Sequence, residues 1–419
     1  MKRWLGILAA GGVLWAAGAA WGGDGFALRL WRSAAGREGN AVMSPFSVAE
    51  AMGMALAGAR GETADEIARA VLPEGVEDVP GYFARLNADF EEAAGPGRLR
   101  IANALWSREG TAIPEEYAQL AAEAFGGVAE TSPWGEEGVA RANRWAEEAT
   151  EGRIRDLFDS DLFGEDSVMV LGNAVFFQGR WATGFNPKST EEAAFRLRDG
   201  RTGRVPMMFR KGKAELGEWE DGAMLRLPYE GGDLEMRVVV PKDGVGLETL
   251  EKRLEADWDA WAELTERREA KVWLPRFKMR WGAASLKEAL ERLGVVRAFG
   301  PGADFTGMGA GGAALSDVLH AATIEVDEEG TTAAAGTAAA MAKGIQRPPP
   351  EFRADRPFLF AIVEKVSGTV LFFGRVERPD EWVADEGEEE EYVKRDDVGE
   401  AARGMCRGAD AEEESEEQK

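Results

Sequence analysis

Histidine and cysteine are almost absent from this chain: 419 residues contain one of each, His320 and Cys406. That scarcity excludes a good deal of chemistry. Zinc sites built from several His or Cys ligands are ruled out by count. A thiol enzyme would have to use Cys406, which lies in an acidic tail with few apolar residues. A Ser-His-Asp hydrolase would need His320 beside an activated serine, yet no Gly-x-Ser-x-Gly elbow occurs. There is no Gly-x-x-x-x-Gly-Lys-Ser/Thr loop and no Gly-x-Gly-x-x-Gly placed after a strand to cradle a phosphate. A single cysteine cannot form an internal disulfide, so a large apolar core has to hold the fold. Carboxylate-pair catalysis survives this elimination, because Asp and Glu number 75, but abundance on an acidic chain is weak support for it. Neither a metal nor a cofactor is expected.

No Pro/Ser/Gly-rich linker or composition break divides the chain before about residue 379, so residues 20–379 read as one large domain. Residues 380–419 hold 17 acidic and 5 basic residues and so carry −12 of the net charge of −25. They read as a disordered acidic tail, and such a chain is a poor partner for nucleic acid. At the other end, Met1-Lys2-Arg3 precedes an apolar stretch from Trp4 to Trp21 with a small-residue site at Ala17-Gly18-Ala19. This is a secretory signal pattern, cleaved near Ala19, with a retained membrane anchor as the rival reading. The expected location is secreted or periplasmic.

Apolar spacing predicts helices over residues 45–58, over 63–72 behind a Thr63-x-x-Glu66 capping box, over about 136–150, and after Ser285-Leu-Lys-Glu288. Strands are expected at Ile101 to Trp106, Val168 to Phe177, Arg237 to Val240, Lys271 to Leu274, Phe358 to Val363 and Val370 to Phe373. The run from Val168 has no polar alternation, as for a strand covered on both faces. Helices come mostly first and strands mostly later, which gives an α+β architecture.

Thr323 to Asp327 alternates with period two and leads as a strand into Glu328-Glu329-Gly330-Thr331-Thr332-Ala333-Ala334-Ala335-Gly336-Thr337 and further small residues up to Met341. Taken alone, such a tract is a flexible linker or weak helix. As a continued strand, Thr331, Ala333, Ala335, Thr337 and Ala339 would share one face. Small residues are what a strand needs if it is to slip into a sheet over a packed core. Gly330 and Gly336 supply permissive backbone.

This tract resembles the reactive-centre loop and hinge of the serpins. Other segments similar to that family follow in order: Asn40 to Ser47, Gly58 to Ile67, Asn143 to Trp145 with Thr150 to Ile154, Asn173 to Trp181, Leu274 to Phe277, Ala303 to Met308, and Arg356 to Phe360. The resemblance implies a serpin fold: a large mixed main β-sheet, two further sheets, eight or nine helices and an exposed loop. It also implies residue roles. Ser44, Ser47, Asn173 and His320 match a polar cluster beneath the point where the sheet opens. Read alone, His320 is a hydrogen-bonded structural histidine just ahead of a strand. Trp181 matches a tryptophan near the top of the sheet, and Arg276 and Glu328 match an ion pair at the loop's base. The bond to be cleaved is Lys343 to Gly344 or Gly344 to Ile345, with Met341 a third candidate.

The function implied is suicide-substrate inhibition of a serine protease, with a monomer as the acting form and loop insertion trapping the acyl-enzyme. A trypsin-like target suits Lys343; an elastase- or chymotrypsin-like one suits Met341. A non-inhibitory carrier or chaperone of the same fold and an exported carboxylate hydrolase are the alternatives.

Overall fold

The structure, a computed structural model, describes residues 25–95, 97–164, 167–329, 348–380 and 383–384. The proposed signal segment, hinge residues Gly330 to Thr337, Met341, Lys343, Gly344, Ile345 and Cys406 lie outside them. The main sheet is built from β1 (Arg98–Arg108), β2 (Val128–Ser132), β3 (Met169–Gln178), β4 (Phe277–Ser285) and β5 (Leu315–Val326), in the spatial order β4-β5-β3-β1-β2. It is mixed. β5 and β3 run parallel, while β4 with β5 and β1 with β3 are antiparallel.

One face of this sheet lies on the principal core, to which α1 (Phe26–Ala34), α2 (Pro45–Gly58), α3 (Gly61–Val71), α4 (Val79–Ala94) and α5 (Glu115–Phe125) contribute. The other face carries α6 (Glu136–Ala149) and the segment after it over a separate apolar cluster. There Trp106 of β1 meets Trp145 and Phe158 edge-on, with ring centroids 5.2 and 5.0 Å apart. Asn143 clamps that segment by exchanging two hydrogen bonds with the Phe158 backbone. The fit over β3 is tight enough that a Cβ on Gly172 would come within 2.6 Å of the Phe158 ring. β3 is buried along nearly its whole length, as its unbroken apolar run requires.

A second, larger sheet includes Ala41–Met43, Val370–Val376, Phe358–Glu364, Leu234–Pro241 and Glu266–Pro275, and a two-stranded sheet completes the three. Nine α-helices occur among the described residues, none long and apolar enough to cross a membrane. The described residues past 379 touch this body. The Asp380 carboxylate accepts the Lys278 N–H, and Val383 and Ala384 pair with Arg204 and Gly203.

Two local expectations are corrected and one is met beside a tertiary bond. The helix expected from Thr63 begins at Gly61, and neither member of the supposed capping box caps it. Thr63 Oγ1 instead accepts the Asp304 N–H, and the Glu66 carboxylate accepts those of Val296 and Arg297. Ser285 ends β4; its hydroxyl donates to Asp317 at 2.8 Å and also accepts the Lys287 N–H at 3.4 Å at the start of the following helix, Lys287–Arg292. Tertiary donors outcompete the local box at Thr63 and Glu66. His320 lies inside β5, not ahead of it.

Candidate functional site: the boundary between β5 and β3

Ser44 starts α2. Its side chain accepts the Ser47 N–H at 3.1 Å, with Pro45 in the first turn where a missing N–H costs nothing. This places the helix start directly over the sheet. In the register of the strands, His320 of β5 lies opposite Asn173 of β3, and Asn173 lies opposite Asn103 of β1. The three side chains form a polar row across three adjacent strands, and all three are fully buried.

The bonds along the row set the imidazole tautomer. Asn173 Oδ1 can only accept, so the His320 Nδ1–H donates to it at 2.6 Å. His320 Nε2 then accepts the Ser44 backbone N–H at 3.0 Å. Asn173 Nδ2 donates to Ser47 Oγ at 2.6 Å and to Asn103 Oδ1 at 2.7 Å, and Asn103 Nδ2 donates to the Phe125 carbonyl. Burial pushes the His320 pKa down to about 3, so the imidazole stays neutral in the closed sheet. With Nδ1 committed to an amide and Nε2 to a backbone N–H, this histidine has no serine to activate. The His320–Asn173 bond thus spans the boundary between the parallel strands β5 and β3.

The base of the loop is held differently. Phe185 N–H donates to the Glu328 carbonyl and Trp181 N–H to that of Glu329, at 3.3 and 3.2 Å. The indole N–H of buried Trp181 donates to the Asp327 carbonyl at 2.8 Å, and its ring stacks on Tyr229 at 4.5 Å. Glu328 takes the Thr190 hydroxyl at 2.6 Å, whereas Arg276 stands 3.8 Å away. Burial raises the Asp327 pKa, and the charges of Glu329, Glu328 and Glu325 add to the effect.

The structure thus brings Ser44, Ser47, Asn173 and His320 together, and Trp181, Arg276 and Glu328 together at the far end of the same boundary. Sequence reasoning missed Asn103 and Thr190. Asn103 was detectable in principle, because it sits on the strand that pairs with the Asn173 strand; Thr190 carries no signal outside its tertiary position.

A family model described as Serpin (serine protease inhibitor) matches residues 23–379. The leukocyte elastase inhibitor of Bos taurus is 36% identical over 355 residues, which cover 81% of this chain and 93% of that protein. An uncharacterized serpin-like protein of Thermococcus kodakarensis is 35% identical over 366 residues, 85% of this chain and 84% of the other. Mouse protein-Z dependent protease inhibitor superposes with a TM-score of 0.74 at 28% identity, covering 84% of this chain and 95% of that one. By fold, motif order and sequence match, the chain belongs to the serpin family of serine protease inhibitors, not to an enzyme family.

Proposed function

We propose that the protein is a single-use trap for a serine protease, in which the cleaved loop enters the main sheet between β5 and β3. The observation that carries this reading is the direction of those strands. They are parallel neighbours, and the small-residue tract leaves the end of β5 at Val326. Folding back, the tract would run antiparallel to both. One parallel ladder would be exchanged for two antiparallel ones, the stronger pairing. At about 3.4 Å per residue, the segment from Gly330 to Lys343 is long enough to run the length of the ten-residue register between β5 and β3. A protease still acylated on the cut end would be carried with it, and displacement of its catalytic groups by about 1 Å slows deacylation by about 100-fold.

Lys343 to Gly344 is the proposed bond, for a trypsin-like protease, and cleavage one bond later is the close alternative. A relative named for inhibiting leukocyte elastase favours an elastase-like target as a second reading, with cleavage after Met341 or Gly344. The leader at Met1 to Ala19 supports action outside the cytoplasm.

Incubation with trypsin, elastase and subtilisin, followed by denaturing gels, tests the proposal. An adduct resistant to denaturation is expected with at least one enzyme. Clean cleavage of the loop without any adduct would identify a non-inhibitory member, and an untouched protease and loop would leave the hydrolase reading.

A further inference from the structure

The helix that supplies Ser44 and Ser47 continues the pattern by one more step. Residues three apart on a helix rise about 4.5 Å, close to the spacing of about 4.8 Å between strands. Ser44 meets His320 on β5, Ser47 meets Asn173 on β3, and Glu50 meets Asn103 on β1. Glu50 is the one acidic or basic residue in α2 and is fully buried; its Oε1 accepts the side-chain N–H of half-buried Asn87 from α4. Its Oε2 is buried and has no hydrogen-bond partner. An orphaned buried carboxyl oxygen is costly, so its presence requires a reason.

Motion of the sheet supplies one. The strand Ala41–Met43 runs straight into α2 and packs against β4 and β5, and the Ser44 N–H is bonded to His320 of β5. Helix α2 is thereby joined to the β4 and β5 half, while its contacts with β3 and β1, the Ser47–Asn173 hydrogen bonds among them, are the ones a sliding sheet would exchange. A strand entering between β5 and β3 moves β3 and β1 outward by one spacing, which carries Asn173 from beneath Ser47 to beneath Glu50. We propose that Glu50 is a positioning residue for sheet opening, whose spare oxygen receives the Asn173 side chain after a strand has entered and whose proton governs how readily the sheet parts. This rests on the loop-insertion reading.

Burial raises the Glu50 pKa from 4.5 to about 8, against weaker opposing effects of Asn87 and Asn103. Those two amides are the groups that face it from α4 and β1, and no charged group acts on it. Elsewhere around α2 the buried titratable groups are His320 of β5, bonded to Ser44 and neutral above about pH 3, and Tyr117 of α5, whose hydroxyl donates to the Met54 carbonyl and whose pKa burial raises. A carboxyl raised in this way favours the closed sheet fully below pH 4.5 and loses that contribution as pH rises through about 8. Opening slides Asn103 off Glu50 and admits water past Asn87, so it should speed up with pH and level off above about 8. Below about pH 6.5, protonation of His320 in the opened sheet acts the other way, which leaves the window from about 6.5 to 8 to Glu50.

The test is uptake of a synthetic peptide copying residues 330–343 by the intact chain, followed on native gels across that window and above it. The wild-type rate is expected to rise about tenfold and then plateau. Glu50→Gln, which retains hydrogen-bonding atoms but does not titrate, should show a flat profile. A flat wild-type profile, or a Gln profile that rises in parallel, overturns the role of Glu50 and leaves insertion standing. The wild-type profile alone decides if the variant does not fold. Failure of the wild type to take up peptide at any pH overturns the insertion reading, and the role of Glu50 with it.

Discussion

Midway along the boundary between β5 and β3, contact is a dry chain of short hydrogen bonds from Ser44 through His320 and Asn173 to Asn103. At its end, by contrast, Glu328 faces Arg276 across 3.8 Å, with the arginine side chain 40% exposed. The two latches therefore fail in different ways. A buried amide or imidazole deprived of its partner has no water to turn to, so the middle latch resists opening until its groups can re-pair. The end latch is wet on one side and rests on backbone hydrogen bonds to Trp181 and Phe185, which an incoming strand can replace with its own. Opening should begin at the loop's base and be limited by the polar row.

Asn173→Ala should have the largest effect, because it strands His320 Nδ1–H, the Ser47 hydroxyl and Asn103 Oδ1 together. A loss on the order of 3–4 kcal/mol is expected in urea unfolding of the intact protein. A loss below about 1 kcal/mol would mean that the row is not a latch.

His320→Gln tests the same region by pH. His320 has its pKa lowered from 6.5 to about 3 by burial, so its contribution is present above 6.5 and is lost as pH falls toward 3. The stability gap between wild type and His320→Gln should therefore shrink on acidification, by up to about 1.4 kcal/mol per pH unit. A gap independent of pH would show that the imidazole is not held neutral by its surroundings.

At the other latch, Glu328→Lys removes the acceptor of the Thr190 hydroxyl and sets a cation beside Arg276, a cost of about 1–2 kcal/mol. Native gels after mild heating should show loop-sheet polymers sooner than in the wild type. Arg276→Ala should cost about 0.5 kcal/mol or less, as for other half-exposed pairs. If it matched Glu328→Lys, the ion pair and not Thr190 would be what holds Glu328.

Much of this was legible in the chain. The apolar run of β3 announced a strand covered on both faces, and apolar spacing over residues 45–58 announced α2. Ser44, Ser47, Asn173 and His320 were found through their motifs, since nothing in local periodicity joins residues so far apart. The capping box at Thr63 misled because a local donor and acceptor say nothing about stronger partners elsewhere, here Asp304 and Val296. Glu50 left a trace that went unread: one acid in a helix buried at every position but Ala57, three residues beyond Ser47. Its meaning depends on strand register, which only the fold reveals.

The central claim is that the intact sheet is short of one strand and that the nicked loop fills the place. Limited cleavage within residues 338–347, followed by thermal melting beside the uncut protein, tests it most directly. The account predicts a transition raised by tens of degrees on nicking; a nicked protein that melts at or below the temperature of the intact one would contradict it.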